Sequence, residues 1–348
     1  MSLHLPNLNI VNTSQLGDKS PYNAFPFLLK PDCSVYEKEY KEKDLDLSRV
    51  DFVIEFKTND DPFLDHPSNG GKLESHAKQV NSEPEFDSSE MANPFLCPPS
   101  QRRDILGQLT AYATAILGAQ FRTHVFMVFI VKEHARLIRW DRSGAVVTKR
   151  ILFNEQPHLF DFFIRYDIAD LEARGRDSTV SLPEPLEIEH AKAIVPELVD
   201  AKLFLAVTMR NERYVIRAPG SRPDIPVGRW TRPLLAFDVI GNRRVLLKDS
   251  WRVSLPDIEP EGVIYELLRK GKVPNIPRHL SSADVGDDAY HKTRTLDALH
   301  YLTPDTYWKL TPHRHYRIVL GTVGRQLNKF KKTKEFANAM YAALKGKV

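Results

Sequence analysis

Cysteine is scarce: the 348 residues hold two, Cys33 and Cys97. Two thiols, one of them in a polar stretch, exclude a disulfide framework and point to a reducing compartment inside the cell, cytoplasm or nucleus. Long apolar runs are lacking too. No stretch approaches the roughly 18 residues of a membrane-crossing helix, so no membrane partner is expected. Residues 1–12 have no basic start ahead of an apolar core, so a secretory signal is not expected. Charge of one sign is also missing. Lys and Arg number 49 against 45 Asp and Glu, a net +4, too mild to announce a nucleic-acid partner. There is no internal repeat.

The 42% hydrophobic content is ordinary for a protein with buried cores, and the length predicts about two domains. Residues 1–21 read as loop with room for one short strand, and Tyr36–Leu47 as a turn or loose helix. Val50–Lys57 is rich in β-branched and aromatic residues and reads as a strand. Residues 58–103 are rich in Asn, Asp, Ser, Pro and Gly and read as a flexible insertion. Ile105, Leu109, Tyr112 and Ile116 form one helical stripe, with Asp104 and Gly118 at its ends. Strands over 122–131, 135–140 and 145–152 suggest an antiparallel meander. Leu159, Phe160, Phe162 and Phe163 mark a packed helix. Residues 167–200, with their prolines and charges, read as a linker.

Two short strands over 201–216 follow, then strands at Leu234–Val239 and Val245–Leu247. Apolar residues at 263, 264, 267 and 268 have helical spacing. A lysine leaving a strand, Lys248, and a glutamate on the next helix, Glu261, can form an ion pair. The plainer alternative is a surface lysine and a solvated glutamate. Residues 281–311 read as a polar insertion with a helical turn or two. His313–Leu320 reads as a strand, the basic stretch 325–334 as a solvated turn, and Glu335–Leu344 as a helix.

The words GR-x-T-R (228–232), VLLKDSWR (245–252), PEGVIYELL (260–268), HRHYRIVL (313–320) and VG-x-x-L-x-x-F (323–330), with GQLTAYATAILGAQFRTHVF (107–126) and LIRWDRSG (137–144), resemble the fungal-type protein kinase family. That resemblance implies ATP, with Mg²⁺, as cofactor. It gives Lys248 the phosphates, Glu261 the positioning of Lys248, and Gly228 and Thr231 the loop over the nucleotide. Two departures stand out. Trp230 sits where the family has a second glycine, whose lack of a side chain lets backbone approach phosphate. The sequence also has no His-Arg-Asp and no Asp-Phe-Gly, so the kinase large lobe is expected to be incomplete and no phosphoryl transfer is expected from this chain alone. His313-Arg314-His315 does not substitute, because its third residue is not an aspartate base.

A second resemblance covers the amino-terminal half. Asp32 after Pro31, Glu55 and Lys57, and Gln108 and Tyr112 resemble the PD-(D/E)xK nuclease-like superfamily. That implies Asp32 and Glu55 as Mg²⁺ ligands, Lys57 beside the attacking water, Gln108 and Tyr112 as neighbours on a helix, and a nucleic-acid partner. Residues 55 and 57 share a strand face because the side-chain period is two. Gln108 and Tyr112 lie one helical turn apart. The plainer alternative is a turn dipeptide, a common charged pair and a core tyrosine.

The expected fold is α+β. A nuclease-like domain over 1–166, with a mixed sheet and flanking helices, precedes a partial kinase-like domain over 201–348 with an antiparallel sheet plus helix. A third functional class stays open, a non-catalytic interaction protein whose partner is another protein or the missing lobe.

Overall fold

The computed structural model describes residues 4–18, 25–40, 44–65, 100–218, 225–286, 289–301, 310–324 and 327–345. Most of the expected insertion over 58–103, together with Cys97, Arg325 and Gln326, lies outside the described residues. The fold is α+β, with two seven-stranded sheets and, among the described residues, five α-helices.

The first sheet comprises β1 (Leu8–Asn12), β2 (Cys33–Glu37), β3 (Phe52–Lys57), β4 (Val125–Val131), β5 (His134–Asp141), β6 (Gly144–Val147) and β7 (Ile151–Leu152). Its order is β1-β2-β3-β4-β5-β6, with β7 on β5. β1, β2 and β3 pair antiparallel, whereas β3 and β4 are parallel and connected through α1 (Ser100–Ala119). The run VFMVFIV in β4 is apolar on both sides because both faces are covered, as a two-sided strand requires. Val53, Met127 and Phe129 pack with Leu109, Tyr112 and Ile116 of α1. Phe52, Ile54 and Val128 pack with Leu159, Phe163 and Tyr166 of α2 (His158–Ile168). Glu55 and Lys57 follow Val53 at the strand's period of two, which turns them toward α1.

The second sheet runs β13-β14-β12-β11-β10-β9-β8, all antiparallel. Its strands are β8 (Val180–Ser181), β9 (Phe204–Met209), β10 (Glu212–Arg217), β11 (Arg232–Asp238), β12 (Arg243–Val253), β13 (His279–Asp284) and β14 (His313–Leu320). One face carries Leu234, Val245, Leu247 and Val319, packed with Phe121 of the first half. The other face is covered at one end by α3 (Pro185–Ile194), through Ala191 and Val195. At the other end Leu246, Tyr316, Ile318 and Leu320 meet Tyr265 of α4 (Glu261–Lys270). The chain closes with α5 (Thr333–Lys345).

Three local expectations are corrected. Tyr36 is not in a turn but in β2, and it is 1% exposed. α1 begins at Ser100, a turn before Asp104. The polar stretch from Ser281 holds the end of β13, which pairs with β14 on one side only; an edge strand keeps polar residues because nothing covers its outer side. The expected helical turns appear as a 3₁₀ segment at Thr295–Tyr301. Residues 167–200 hold β8, α3 and the buried side chains of Asp167, Arg174 and Asp177.

Candidate functional site

Lys248 lies mid-way along β12, between Pro233 of β11 and Ile318 of β14. It faces the α4 side with Leu246 and Ser250, and its ammonium is ion-paired with the Glu261 carboxylate at the first residue of α4. Both side chains are about three-quarters buried, which shields the pair from screening by salt.

What seats α4 is not the apolar row of the sequence. Val263, Ile264 and Leu267 are exposed, whereas Gly262 and Tyr265 meet the sheet. A Cβ at Gly262 would stand 2.0 Å from Ser282 Oγ and 2.7 Å from the Tyr316 hydroxyl. The Gly262 N–H donates to that hydroxyl at 2.8 Å. The missing side chain is what lets the helix come close enough for Glu261 to reach Lys248.

Gly228 has φ +94, a region glycine enters without strain, and a Cβ there would meet nothing within 4 Å. Thr231 is exposed, two residues ahead of Pro233, the cross-strand partner of Lys248. Trp230 turns the other way. Its indole lies under the Arg142 guanidinium, 3.5 Å from the ring centre, and joins the core of the first half. Gly228 N–H donates to Arg142 O at 2.8 Å, so the segment is pinned to the β5–β6 turn.

The amino-terminal candidates also converge. Phe56 N–H donates to Asp32 Oδ2 at 2.8 Å, and Asp32 N–H to Glu55 Oε2 at 3.4 Å, which holds the ends of β2 and β3 together. Lys57 is paired with Glu55. Gln108 Nε2 donates to the Tyr112 hydroxyl at 2.8 Å. Burial, and next the charge of Glu55, push that hydroxyl up and keep it protonated. Glu55 is 2% exposed, and its carboxyl is raised by burial, with Asp32 adding to the shift and Lys57 opposing it. The Cys33 thiol is pushed up by burial, then by Asp32 and Glu55, which disfavours its thiolate.

The sequence reading missed the charged seam on the far side of β12 and β14. Arg317 is fully buried; it donates to Asp249 Oδ2 at 2.7 Å, Asp177 Oδ2 at 2.6 Å, Thr179 Oγ1 at 2.6 Å and Thr208 O at 2.9 Å. His315 stacks on Trp251 and bonds Asp249 through Nε2 at 2.8 Å. Burial would raise the Asp249 carboxyl, but His315 and Arg317 outweigh it and hold it far below the usual range. Arg232 reaches across to the carbonyls of Leu117, Gly118 and Gln120, capping the carboxyl end of α1. The signal was present in HRHYRIVL: His313, His315 and Arg317 alternate onto one face of a strand whose other face carries Arg314, Tyr316, Ile318 and Leu320.

The sequence profile of a family described as fungal protein kinase matches residues 74–347. No curated protein matches the chain, and no solved structure matches it.

Proposed function

The chain belongs to the fungal protein kinase family, and on that premise we propose that β10–β14 with α4 act as a kinase small lobe that binds ATP. Lys248 grips the phosphates, and Glu261 holds the ammonium in line with them. Gly228 and Thr231 border the nucleotide from the segment ahead of β11, which the Gly228–Arg142 bond holds in place. The observation that carries this reading is the Lys248–Glu261 ion pair, made across a strand and a helix by residues 13 apart in sequence. Such a pair fixes a point charge where a triphosphate needs one. Mg²⁺ would arrive with the nucleotide and neutralise part of its charge. With no His-Arg-Asp aspartate to accept a hydroxyl proton and no Asp-Phe-Gly aspartate for the metal, these residues support binding rather than transfer. A thermal shift with ATP and Mg²⁺ tests the reading. The wild-type chain should be stabilised and Lys248→Ala should not. An equal response in the two proteins, or labelled phosphate passed to a protein substrate, would overturn it.

A second reading is favoured by the convergence of Asp32, Glu55, Lys57, Gln108 and Tyr112 at one end of the β2–β3 pair. The antiparallel β1-β2-β3 followed by α1 and a parallel β4 supports the same superfamily fold. Two carboxylates side by side, one of them raised by burial, fit a hard cation that takes oxygen ligands and keeps waters. Bound there, Mg²⁺ would supply an activated water and stabilise charge on a phosphodiester. Lys57 would orient that water, and Tyr112, held protonated, would donate toward Glu55 or a phosphate oxygen. Mg²⁺-dependent cleavage of DNA or RNA, compared with Glu55→Ala, decides the matter: identical activity in both, or none in either, removes the catalytic claim.

A further inference from the structure

Where β14 meets the connection between the sheets, three buried donor groups from three distant segments face one another. Asp177, His291 and His315 are 5%, 1% and 3% exposed. One ligand atom from each can be chosen so that all lie within 4.8 Å of one another. His315 Nδ1 is 3.8 Å from Asp177 Oδ2, and His291 Nε2 is 3.9 Å from Asp177 Oδ1. We infer that Asp177, His291 and His315 form a binding site for a divalent cation of the zinc type, tying β14 and the 291 loop to the segment that leaves the first sheet.

The two imidazoles are stacked, and their Nδ1 atoms are 3.1 Å apart, close enough for one proton. His315 Nε2 faces the Asp249 carboxylate at 2.8 Å and therefore carries a proton. In a neutral pair the shared proton then belongs to His291. That leaves His291 Nε2 bare, and it is a buried nitrogen with no hydrogen-bond partner. It points at a carboxylate, lone pair against lone pair, an arrangement that costs free energy unless something positive lies between. A proton on Nε2 would stand 3.9 Å from Asp177 Oδ1, too long for a hydrogen bond without movement of either side chain.

A cation repairs it by taking the place of the shared proton: His315 Nδ1 has one lone pair, so metal bound there displaces the His291 Nδ1–H, and His291 turns to bring Nε2 onto the ion. Nitrogen and oxygen ligands of tetrahedral zinc stand about 3.3 Å apart, given bonds of about 2.0–2.1 Å. The gaps to Asp177 run to its two different oxygens and are wider by about half an ångström, so either both oxygens or a side-chain rotation brings the three groups onto one ion. The bond from His315 Nε2 to Asp249 is the carboxylate contact that metal-bound histidines make through their second nitrogen. Asp177 keeps Arg317 on Oδ2 and the Thr179 hydroxyl and N–H on Oδ1. With a guanidinium already on the carboxylate, two imidazoles must supply most of the affinity. This selects zinc or cobalt over the oxygen-seeking Mg²⁺ and Ca²⁺.

The test uses the full chain, stripped with a chelator and then given Zn²⁺ or Co²⁺, with excess Mg²⁺ to occupy carboxylate pairs. The expected result is one equivalent of Zn²⁺ retained per chain, visible Co²⁺ absorption bands of low coordination number, and a higher melting temperature with zinc. His291→Ala removes the unpartnered Nε2 together with the Nδ1 that meets His315, and leaves the Arg317 bonds in place. It should weaken uptake at least about tenfold and lose the zinc-dependent rise in melting temperature, whatever the lost buried ring costs the metal-free chain. His291→Gln serves if the alanine variant does not fold. Equal uptake by the variants would overturn the assignment. So would a chain that takes up no Co²⁺ while His291 and His315 titrate as a coupled pair, which identifies a shared proton in place of a metal.

Discussion

Glu55 illustrates how one side chain can serve a site against the fold. Its carboxyl is raised by burial in spite of Lys57, so the ionised form is less comfortable in the folded chain than in the unfolded one. A raised acid weakens the fold as pH climbs through its unfolded value near 4.3. Glu55→Gln should therefore raise the melting temperature at pH 7 while removing any Mg²⁺-dependent cleavage, the exchange of stability for function expected of a working group. Thermal melts at pH 7 and pH 4 check the sign, because the gain should shrink at the lower pH. At this scale much was legible. Lys248 with Glu261, and Asp32 with Glu55 and Lys57, were singled out from spacing and resemblance, and each set does converge. Trp230 was noticed as out of place, but where its ring goes was not readable, since its partner Arg142 lies far away along the chain.

At the scale of elements, α4 shows where periodicity misleads. Its apolar row at 263, 264, 267 and 268 marks a helix correctly, but 263, 264 and 267 are exposed and do not mark the side that packs. The contact surface is set by a glycine, and the absence of a side chain leaves no mark in a hydrophobic pattern. Gly262→Ala forces a methyl against Ser282 and the Tyr316 hydroxyl and should cost about 1–3 kcal/mol, the range for overpacking. It should also loosen the Lys248–Glu261 pair, read as a weaker ATP-dependent thermal shift. Ile264→Lys, on the exposed row, should stay within about 0.5 kcal/mol, and denaturant melts of the two variants separate the faces. Strands β3, β4, β5, β9, β10, β11, β12 and β14 were readable because their runs are apolar or β-branched. β13 was not, because an edge strand needs no such run.

At the scale of the whole molecule the two sheets exchange aromatic residues. Trp230 of the second half sits in the first core, and Phe121 of the first half sits in the second. Buried ions join the same seam. Asp51 binds Arg122 and Arg176 at 2.8 and 2.9 Å, and Arg174 lies 3.6 Å away. Burial alone would raise the Asp51 carboxyl; Arg122 and Arg176 outweigh it and lower it, and Asp61 is likewise lowered, with burial opposed chiefly by Arg136. Depressed carboxylates give their full stabilisation above an unfolded value near 3.9 and lose it as pH falls toward their folded values. Denaturant melts from pH 7 to pH 2 should show stability falling steeply below about pH 4 in one transition. A flat profile between pH 5 and pH 3 would contradict that. None of this seam was legible in order along the chain, because each ion pair joins residues 50 or more apart.

The reciprocal placing of Trp230 and Phe121 also bears on how the protein comes apart. Leu182, 72% exposed between β8 and α3, is a natural point for a protease to nick. The resulting fragments would still hold one another, each gripping a ring that belongs to the other. A sizing column would record an undivided particle, and only a denaturing gel would reveal two polypeptides.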